Sequence, residues 1–335
     1  MRILLTRLVY DGFWPTIERH GVEAIILEAD GTTRSGSDAT VTPDDLDVEI
    51  ALSTYDVFVG GRAQGPAFIG AAMRCPSLRW FHWAGAGYDQ AFLTALAQRG
   101  ARVTTSHANG VSIAEFVMRS VLDELQGAAQ WRSAQARQTW ETHEFREVEG
   151  TTWLVVGLGS IGGGVARRAG ALGATVIGCR RTPSDSDPVD RTVTPTELPS
   201  VIGLADVVVL AAPRSDDSSH LVDDSFLGAM KPRSILVNVG RGSLVDEEAL
   251  LVALDRGVPE TAVLDVFEHE PLPADHPFWR HPSVRVTPHN TAYGSGRLGR
   301  QIRAFVEDLD HFLAGETLTH DVTDLVAGGE TGMVN

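Results

Sequence analysis

The feature that most constrains this 335-residue chain is an alternation, run through twice, of short apolar stretches with longer segments of helical period. That pattern belongs to parallel sheets, whose strands are buried on both faces by the helices that connect them. In the first series Arg2–Leu5, Ala24–Leu27, Val57–Gly60, Trp80–Trp83 and Val103–Thr105 read as strands, with a helix over Pro66–Met73. The second places strands at Trp153–Gly157, Thr175–Cys179, Val207–Leu210, Ser234–Val239, Thr261–Val266 and Val284–Thr287. Between the two series, Val111 to about Gln138 is helical in pattern. An amphipathic helix covers Arg297–Leu313, and the Gly-rich tail Ala327–Asn335 reads as disordered. At roughly 100–200 residues per domain, the length suits two α/β domains.

Charge and cysteine usage exclude several classes of function. A formal charge of -16 and a pI near 5.0 leave no basic face for nucleic acid or an anionic membrane. Cys75 and Cys179 lie far apart, so a disulfide framework is not expected and a reducing compartment is. The N-terminus has too short an apolar run for a signal peptide. The longest apolar stretches, such as Val207–Ala212, fall well short of the ~20 residues that span a bilayer. The histidines show neither H-x-x-H nor H-E-x-x-H, so no metal is expected. These features describe a soluble, cytoplasmic protein.

The second series opens with Trp153-Leu-Val-Val-Gly-Leu-Gly-Ser-Ile-Gly162, a G-x-G-x-x-G directly after a strand. A helix pattern (Val165–Leu172) and another apolar strand follow it. Each glycine has a physical task in a dinucleotide site. Gly157 permits the tight turn, Gly159 lets backbone approach a pyrophosphate, and Gly162 lets helix pack closely on strand. At the end of the next strand a carboxylate would bind the ribose 2′-hydroxyl of NAD(H), but here Cys179-Arg-Arg-Thr-Pro183 follows. Arg180 and Arg181 suit a 2′-phosphate instead, because guanidinium grips phosphate oxygens in bidentate fashion, and Arg180 is the expected contact. The cofactor reading is NADP(H) preferred over NAD(H).

Three further segments resemble those of the D-isomer-specific 2-hydroxyacid dehydrogenase family, which includes glyoxylate/hydroxypyruvate reductases. They are Ile235-Leu-Val-Asn-Val-Gly-Arg-Gly-Ser-Leu-Val-Asp246, Leu264-Asp-Val-Phe-Glu-His-Glu-Pro-Leu-Pro273 and Val286-Thr-Pro-His-Asn290. With the glycine loop they stand in the family's order, and Gly85-Ala-Gly-Tyr-Asp89 extends the resemblance to the first series. The resemblance implies two Rossmann-like or flavodoxin-like parallel-sheet domains with an active-site cleft between them. The substrate-binding domain would be discontinuous, 1–105 plus 293–335, and the dinucleotide-binding domain would be 106–292.

The resemblance makes Arg241 the substrate arginine, Glu270 the carboxylate and His289 the acid/base histidine. Chemistry supports each role. Reduction of a 2-keto acid needs a cation to hold the carboxylate and polarise the carbonyl, and a proton donor for the oxygen. Histidine, with a pKa of about 6.5, transfers protons near neutrality, and a neighbouring carboxylate favours its acid form. Glu268 and His269 flank the motif as decoys. By resemblance, the amides of Ala86 and Gly87 hold the substrate carboxylate, and Asp265 receives the nicotinamide carboxamide. Val239 lies against the ring, while Ser160 and Ile161 meet the pyrophosphate through their backbone. Arg62 reads as a solvated loop arginine or a second anion contact, and Tyr293, Trp83 and Trp140 as packing or pocket aromatics. The partners are a small 2-keto or 2-hydroxy acid and, by resemblance, a second copy through residues around 111–148. A dinucleotide-sensing protein of the corepressor type and a decayed enzyme are the alternatives, and the intact triad weighs against both. A phosphoglycerate dehydrogenase with a regulatory domain is disfavoured by the short segment after the last helix.

Overall fold

Side chains alternate across a strand, so strands covered by helices on both faces must be apolar throughout, as these are. The computed structural model describes residues 1–57, 64–88, 90–213 and 218–328. The described chain divides into two compact units, one of Met1–Ala108 with 295–328, the other of Asn109–Gly294. The first unit opens with β1 (Arg2–Thr6), α1 (Arg7–Ile17), β2 (Glu23–Leu27), β3 (Thr33–Ser35), β4 (Thr40–Val41) and β5 (Ile50–Leu52). It continues with α2 (Gln64–Arg74), β6 (Trp80–Trp83), α3 (Ala91–Gln98) and β7 (Arg102–Thr105). The second unit holds α4 (Gly110–Leu125), α5 (Ala128–Ala136), β8 (Thr152–Val156), α6 (Ser160–Ala171), β9 (Thr175–Cys179) and β10 (Arg191–Val193). It ends with β11 (Val207–Leu210), α7 (Asp224–Ala229), β12 (Ile235–Asn238), α8 (Glu247–Asp255), β13 (Thr261–Leu264) and β14 (Val284–Val286). The first unit then closes with α9 (Arg297–Ala314) and α10 (Thr323–Ala327).

In the first sheet the order is β4-β3-β2-β1-β5-β6-β7. Its five parallel strands follow the flavodoxin-like order, and β3 and β4 extend the edge antiparallel. One face buries Ile3, Leu5, Ile50, Leu52 and Trp80 against Ile302, Phe305, Leu309 and Phe312 of α9. Trp80 stacks on Phe305 with ring centroids 4.8 Å apart. The opposite face packs Phe68, Phe81, Leu93 and Leu96 with Val322 and Val326.

The second sheet is parallel throughout, in the order β10-β9-β8-β11-β12-β13-β14. This is the dinucleotide-binding order, whose ligand crevice opens at the strand C-termini where the order reverses, here between β8 and β11. Trp153, Val155, Val207 and Val209 pack beneath Val117 and Val121 of α4 and Val165 of α6. Their neighbours Leu154, Val208 and Leu236 pack with Phe226, Leu250 and Leu254. Among the described residues, no helix is long and apolar enough to cross a membrane.

The structure departs from the sequence reading at four places. Val57 closes a short 3-10 turn and residues 58–60 lie outside the described residues; the strand at this point is Ile50–Leu52. The helix expected over 111–138 is two helices, because Gly127 takes a left-handed conformation (φ 63) between α4 and α5. The helix after the glycine motif begins at Ser160, five residues ahead of Val165. The tail expected to be disordered from Ala327 is helical at that residue, which ends α10, and residues 329–335 lie outside the described residues.

Trp80 is fully buried under α9, so Trp80→Ala should lower stability by about 3–5 kcal/mol. Denaturant unfolding followed by Trp fluorescence checks this, and a loss below about 1 kcal/mol would show that the stack contributes little.

Candidate active site

The glycine motif forms a cradle into which side chains cannot fit. Gly157 has φ 91, and a Cβ on it would lie 2.7 Å from the Ala212 nitrogen. A Cβ on Gly162 would lie 1.8 Å from the Gly157 carbonyl oxygen. Gly159 is the N-cap of α6, and no side chain caps the helix. The first-turn amides, those of Ser160 and Ile161 among them, are therefore free for an anion, with the positive end of the helix dipole behind them. These residues fit a dinucleotide pyrophosphate. Val239, buried at the end of β12, precedes Gly240, where a Cβ would meet the Ala212 carbonyl oxygen at 2.7 Å.

Arg241, Glu270 and His289 come from three loops that follow β12, β13 and β14. His289 Nδ1 stands 2.7 Å from Glu270 Oε2, and Glu270 Oε1 accepts from the Phe267 amide at 3.0 Å. Burial pushes the Glu270 carboxyl up, but the His289 and Phe267 hydrogen bonds and the His289 and Arg241 charges outweigh it, leaving it below its ordinary value. An ionised carboxylate can only accept, so Nδ1 carries the proton and Nε2 is the ring nitrogen not engaged by Glu270. The Glu270 hydrogen bond raises the His289 pKa against burial, and the charges of Glu270 and Asp265 add to the rise. Arg241 acts electrostatically on both partners, and its Nη1 donates to the Gly240 carbonyl at 2.9 Å.

The side chains that hold these three in place were not evident from the sequence as supports. Asp265 is 2% exposed. Its Oδ1 accepts from the Thr287 hydroxyl at 2.6 Å and the Asn290 amide at 3.2 Å, and its Oδ2 accepts from the Thr291 hydroxyl at 2.5 Å. Its carbonyl accepts the His289 amide at 2.9 Å. These bonds stabilise His289 in the left-handed region (φ 49), which costs a non-glycine residue energy. Buried Asn238 donates to the Arg241 carbonyl at 2.9 Å and accepts from the Gly240 amide at 3.1 Å. Gly242 lies so close to the β13 loop that a Cβ would fall 1.9 Å from the Phe267 carbonyl carbon. Glu247 accepts the Glu268 amide at 2.9 Å and pairs with His276 at 3.3 Å. Glu268, two residues before Glu270, pairs with His220 at 3.0 Å. Asn238 lies within the Ile235–Asp246 motif, but its role depends on burial that spacing does not show.

The remaining candidates are placed as follows. Arg180 lies at the end of β9 in an ion pair with Asp187, and Arg181 beside it is exposed. Ala86 and Gly87 belong to the first unit, in the loop after β6, where Trp83 Nε1 donates to the Gly87 carbonyl at 2.8 Å. Trp83 therefore braces that loop. Trp140 is 97% exposed and does not pack within the chain, and Tyr293 is half exposed. Arg62 and Asp89 lie outside the described residues.

Comparison with known proteins gives the family and the fold. A family model described as D-isomer specific 2-hydroxyacid dehydrogenase, NAD binding domain, matches residues 118–291, just over half of the chain. A glyoxylate/hydroxypyruvate reductase A of Yersinia enterocolitica is 30% identical over 178 residues, 53% of this chain and 57% of that protein. The match thus spans less than two thirds of that relative's length. A D-isomer specific 2-hydroxyacid dehydrogenase family protein from Aeromonas salmonicida has a similar structure, with TM-score 0.76 and 29% identity, covering 96% of this chain and 97% of that one. Another from Xanthobacter autotrophicus, solved with NADPH and MES, has TM-score 0.72 and 26% identity over 96% and 97%.

Gly242→Ala should push the Arg241 and Glu270 loops apart. A displacement of about 1 Å in such a site costs about 10²-fold in rate. Steady-state turnover should fall by about that factor while cofactor binding, read by fluorescence, stays unchanged; wild-type turnover would show that the contact positions nothing.

Proposed function

The chain belongs to the D-isomer specific 2-hydroxyacid dehydrogenase family, and from that premise we propose that it is an NAD(P)-dependent reductase of small 2-keto acids, of the glyoxylate or hydroxypyruvate kind. The observation that carries this reading is the 2.7 Å pairing of His289 with Glu270 within electrostatic reach of Arg241. When bound, the reduced nicotinamide supplies a hydride to the carbonyl carbon. Arg241 holds the substrate carboxylate and polarises the carbonyl, which a planar guanidinium does with two parallel donors. His289 delivers the proton to the carbonyl oxygen from Nε2, and Glu270 stabilises the imidazolium beforehand and fixes its tautomer. Family resemblance alone assigns Ala86 and Gly87 to the substrate carboxylate and Asp265 to the carboxamide.

Gly157, Gly159, Ser160, Ile161 and Gly162 would hold the pyrophosphate, and Val239 would flank the ring. The preference for NADP(H) over NAD(H) is supported by the cationic Arg180-Arg181 pair that follows β9, of which Arg181 is exposed, and the Xanthobacter relative was solved with NADPH. A homodimer through residues around 111–148 is supported by exposed Trp131, Trp140 and Phe145 on that segment, Trp131 and Phe145 with ring centroids 5.8 Å apart, because exposed large aromatics mark association surfaces. A cytoplasmic location accords with two free, buried cysteines.

The test is loss of reduced-nicotinamide absorbance with a panel of 2-keto acids, run with NADPH and with NADH. Turnover of at least one acid is expected, and His289→Gln should lower kcat by roughly 10²–10⁴. Silence across the panel, in folded protein that binds cofactor, would overturn the reading, and a near-normal rate in the variant would remove His289 from the mechanism.

A further inference from the structure

No acid directly follows β9, yet the fold brings one there from seven residues on. The side chain of Asp187 is 4% exposed, and its Oδ1 stands 2.5 Å from Arg180 Nη1. Its Oδ2 accepts from the Ser184 amide at 3.0 Å and the Thr192 hydroxyl at 3.2 Å. The Asp187 amide in turn donates to the Ser184 carbonyl at 3.0 Å, closing the loop on itself. Arg180 is anchored too, its amide donating to the Val193 carbonyl of β10 at 3.1 Å. Burial pushes the Asp187 carboxyl up, but the bonds from Ser184, Arg180 and Thr192 hold it below its ordinary value, so the pair is ionic. Arg181 is exposed and has no ion pair among the described residues.

We infer that Asp187 sets the cofactor discrimination of this chain by holding Arg180 on the protein, which leaves Arg181 as the cation free to meet a 2′-phosphate. The inference rests on the dehydrogenase reading and deepens it. Arg180 has two ways to reach a 2′-phosphate. It can share its fork between the phosphate and Asp187, which brings a carboxylate beside a dianion. Or it can turn away, which gives up the charge-assisted bond to Asp187. Both erode the advantage of NADPH, whereas NADH, with only a hydroxyl there, disturbs neither. Two adjacent arginines in the sequence therefore overstate the selectivity that the fold delivers.

Asp187→Asn tests this, because the amide oxygen can still accept from Ser184 or Thr192 while the charge that holds Arg180 is gone. Dissociation constants of NADPH and NADH for the cofactor-free protein are read from nucleotide fluorescence, and those of adenosine 2′-monophosphate and 5′-AMP by competition. The variant should bind NADPH and the 2′-phosphate fragment about tenfold more tightly, the scale of one charge-assisted hydrogen bond, with NADH unchanged. The gain should vanish in Asp187→Asn/Arg180→Ala. An unchanged or lower NADPH preference in the single variant overturns the inference, as does a gain that survives loss of Arg180. Should Asp187→Asn not fold, exposed Arg181→Ala decides: it should lose most of the wild-type preference, and an unchanged ratio overturns the assignment. A wild-type chain that binds neither nucleotide overturns the dehydrogenase reading and this inference with it; one that binds both with an unmoved ratio in the variant overturns this inference alone.

Discussion

The buried carboxylate of Asp265 is the constraint on which the loops carrying Arg241, Glu270 and His289 depend. It sits at the end of β13 and spends both oxygens on the loop after β14, through Thr287, Asn290 and Thr291. A buried carboxylate left without such donors would be costly, so the loop must take the shape that supplies them. That shape includes the left-handed backbone of His289, which brings its Nδ1 to Glu270. Glu270 is in turn fixed through the Phe267 amide, and the β13 loop is packed against Gly242 so tightly that no side chain fits between. Asn238 completes the arrangement by holding the Arg241 loop from both ends. The three candidate groups, on the loops after three strands, are thus held by buried polar groups, each of them paired.

Much of this was legible in the sequence, for a physical reason. Strands buried on both faces cannot hide their apolar runs, and a dinucleotide turn cannot dispense with its glycines. The second unit accordingly reads almost strand for strand. Ile50–Leu52 is three residues long with no alternation to mark it, so the neighbouring run at Val57 drew the assignment instead. The break at Gly127 was hidden because one glycine inside a helical pattern is often tolerated.

The supports were harder to see than the reacting groups. Asn238 and Thr291 are ordinary polar residues until burial shows that their partners are obligatory. Asp187 reaches Arg180 only because the short edge strand β10 pairs with β9 and turns the loop between them back. Spacing along the chain does not contain that pairing. Motif spacing thus points to the candidate residues, whereas the contacts that hold them are made in three dimensions.

The central claim is that His289 works as an acid whose proton is secured by Glu270, and the pH dependence of kcat/KM for 2-keto acid reduction tests it most directly. The Glu270 hydrogen bond raises the His289 pKa, so the acid form persists above the ordinary imidazole range and activity is lost as pH rises through that raised value. In Glu270→Gln the alkaline limb should move down toward about 6.5, the reference value for imidazole. A limb that stays where it is in that variant, or that is absent from the wild type, would contradict the account.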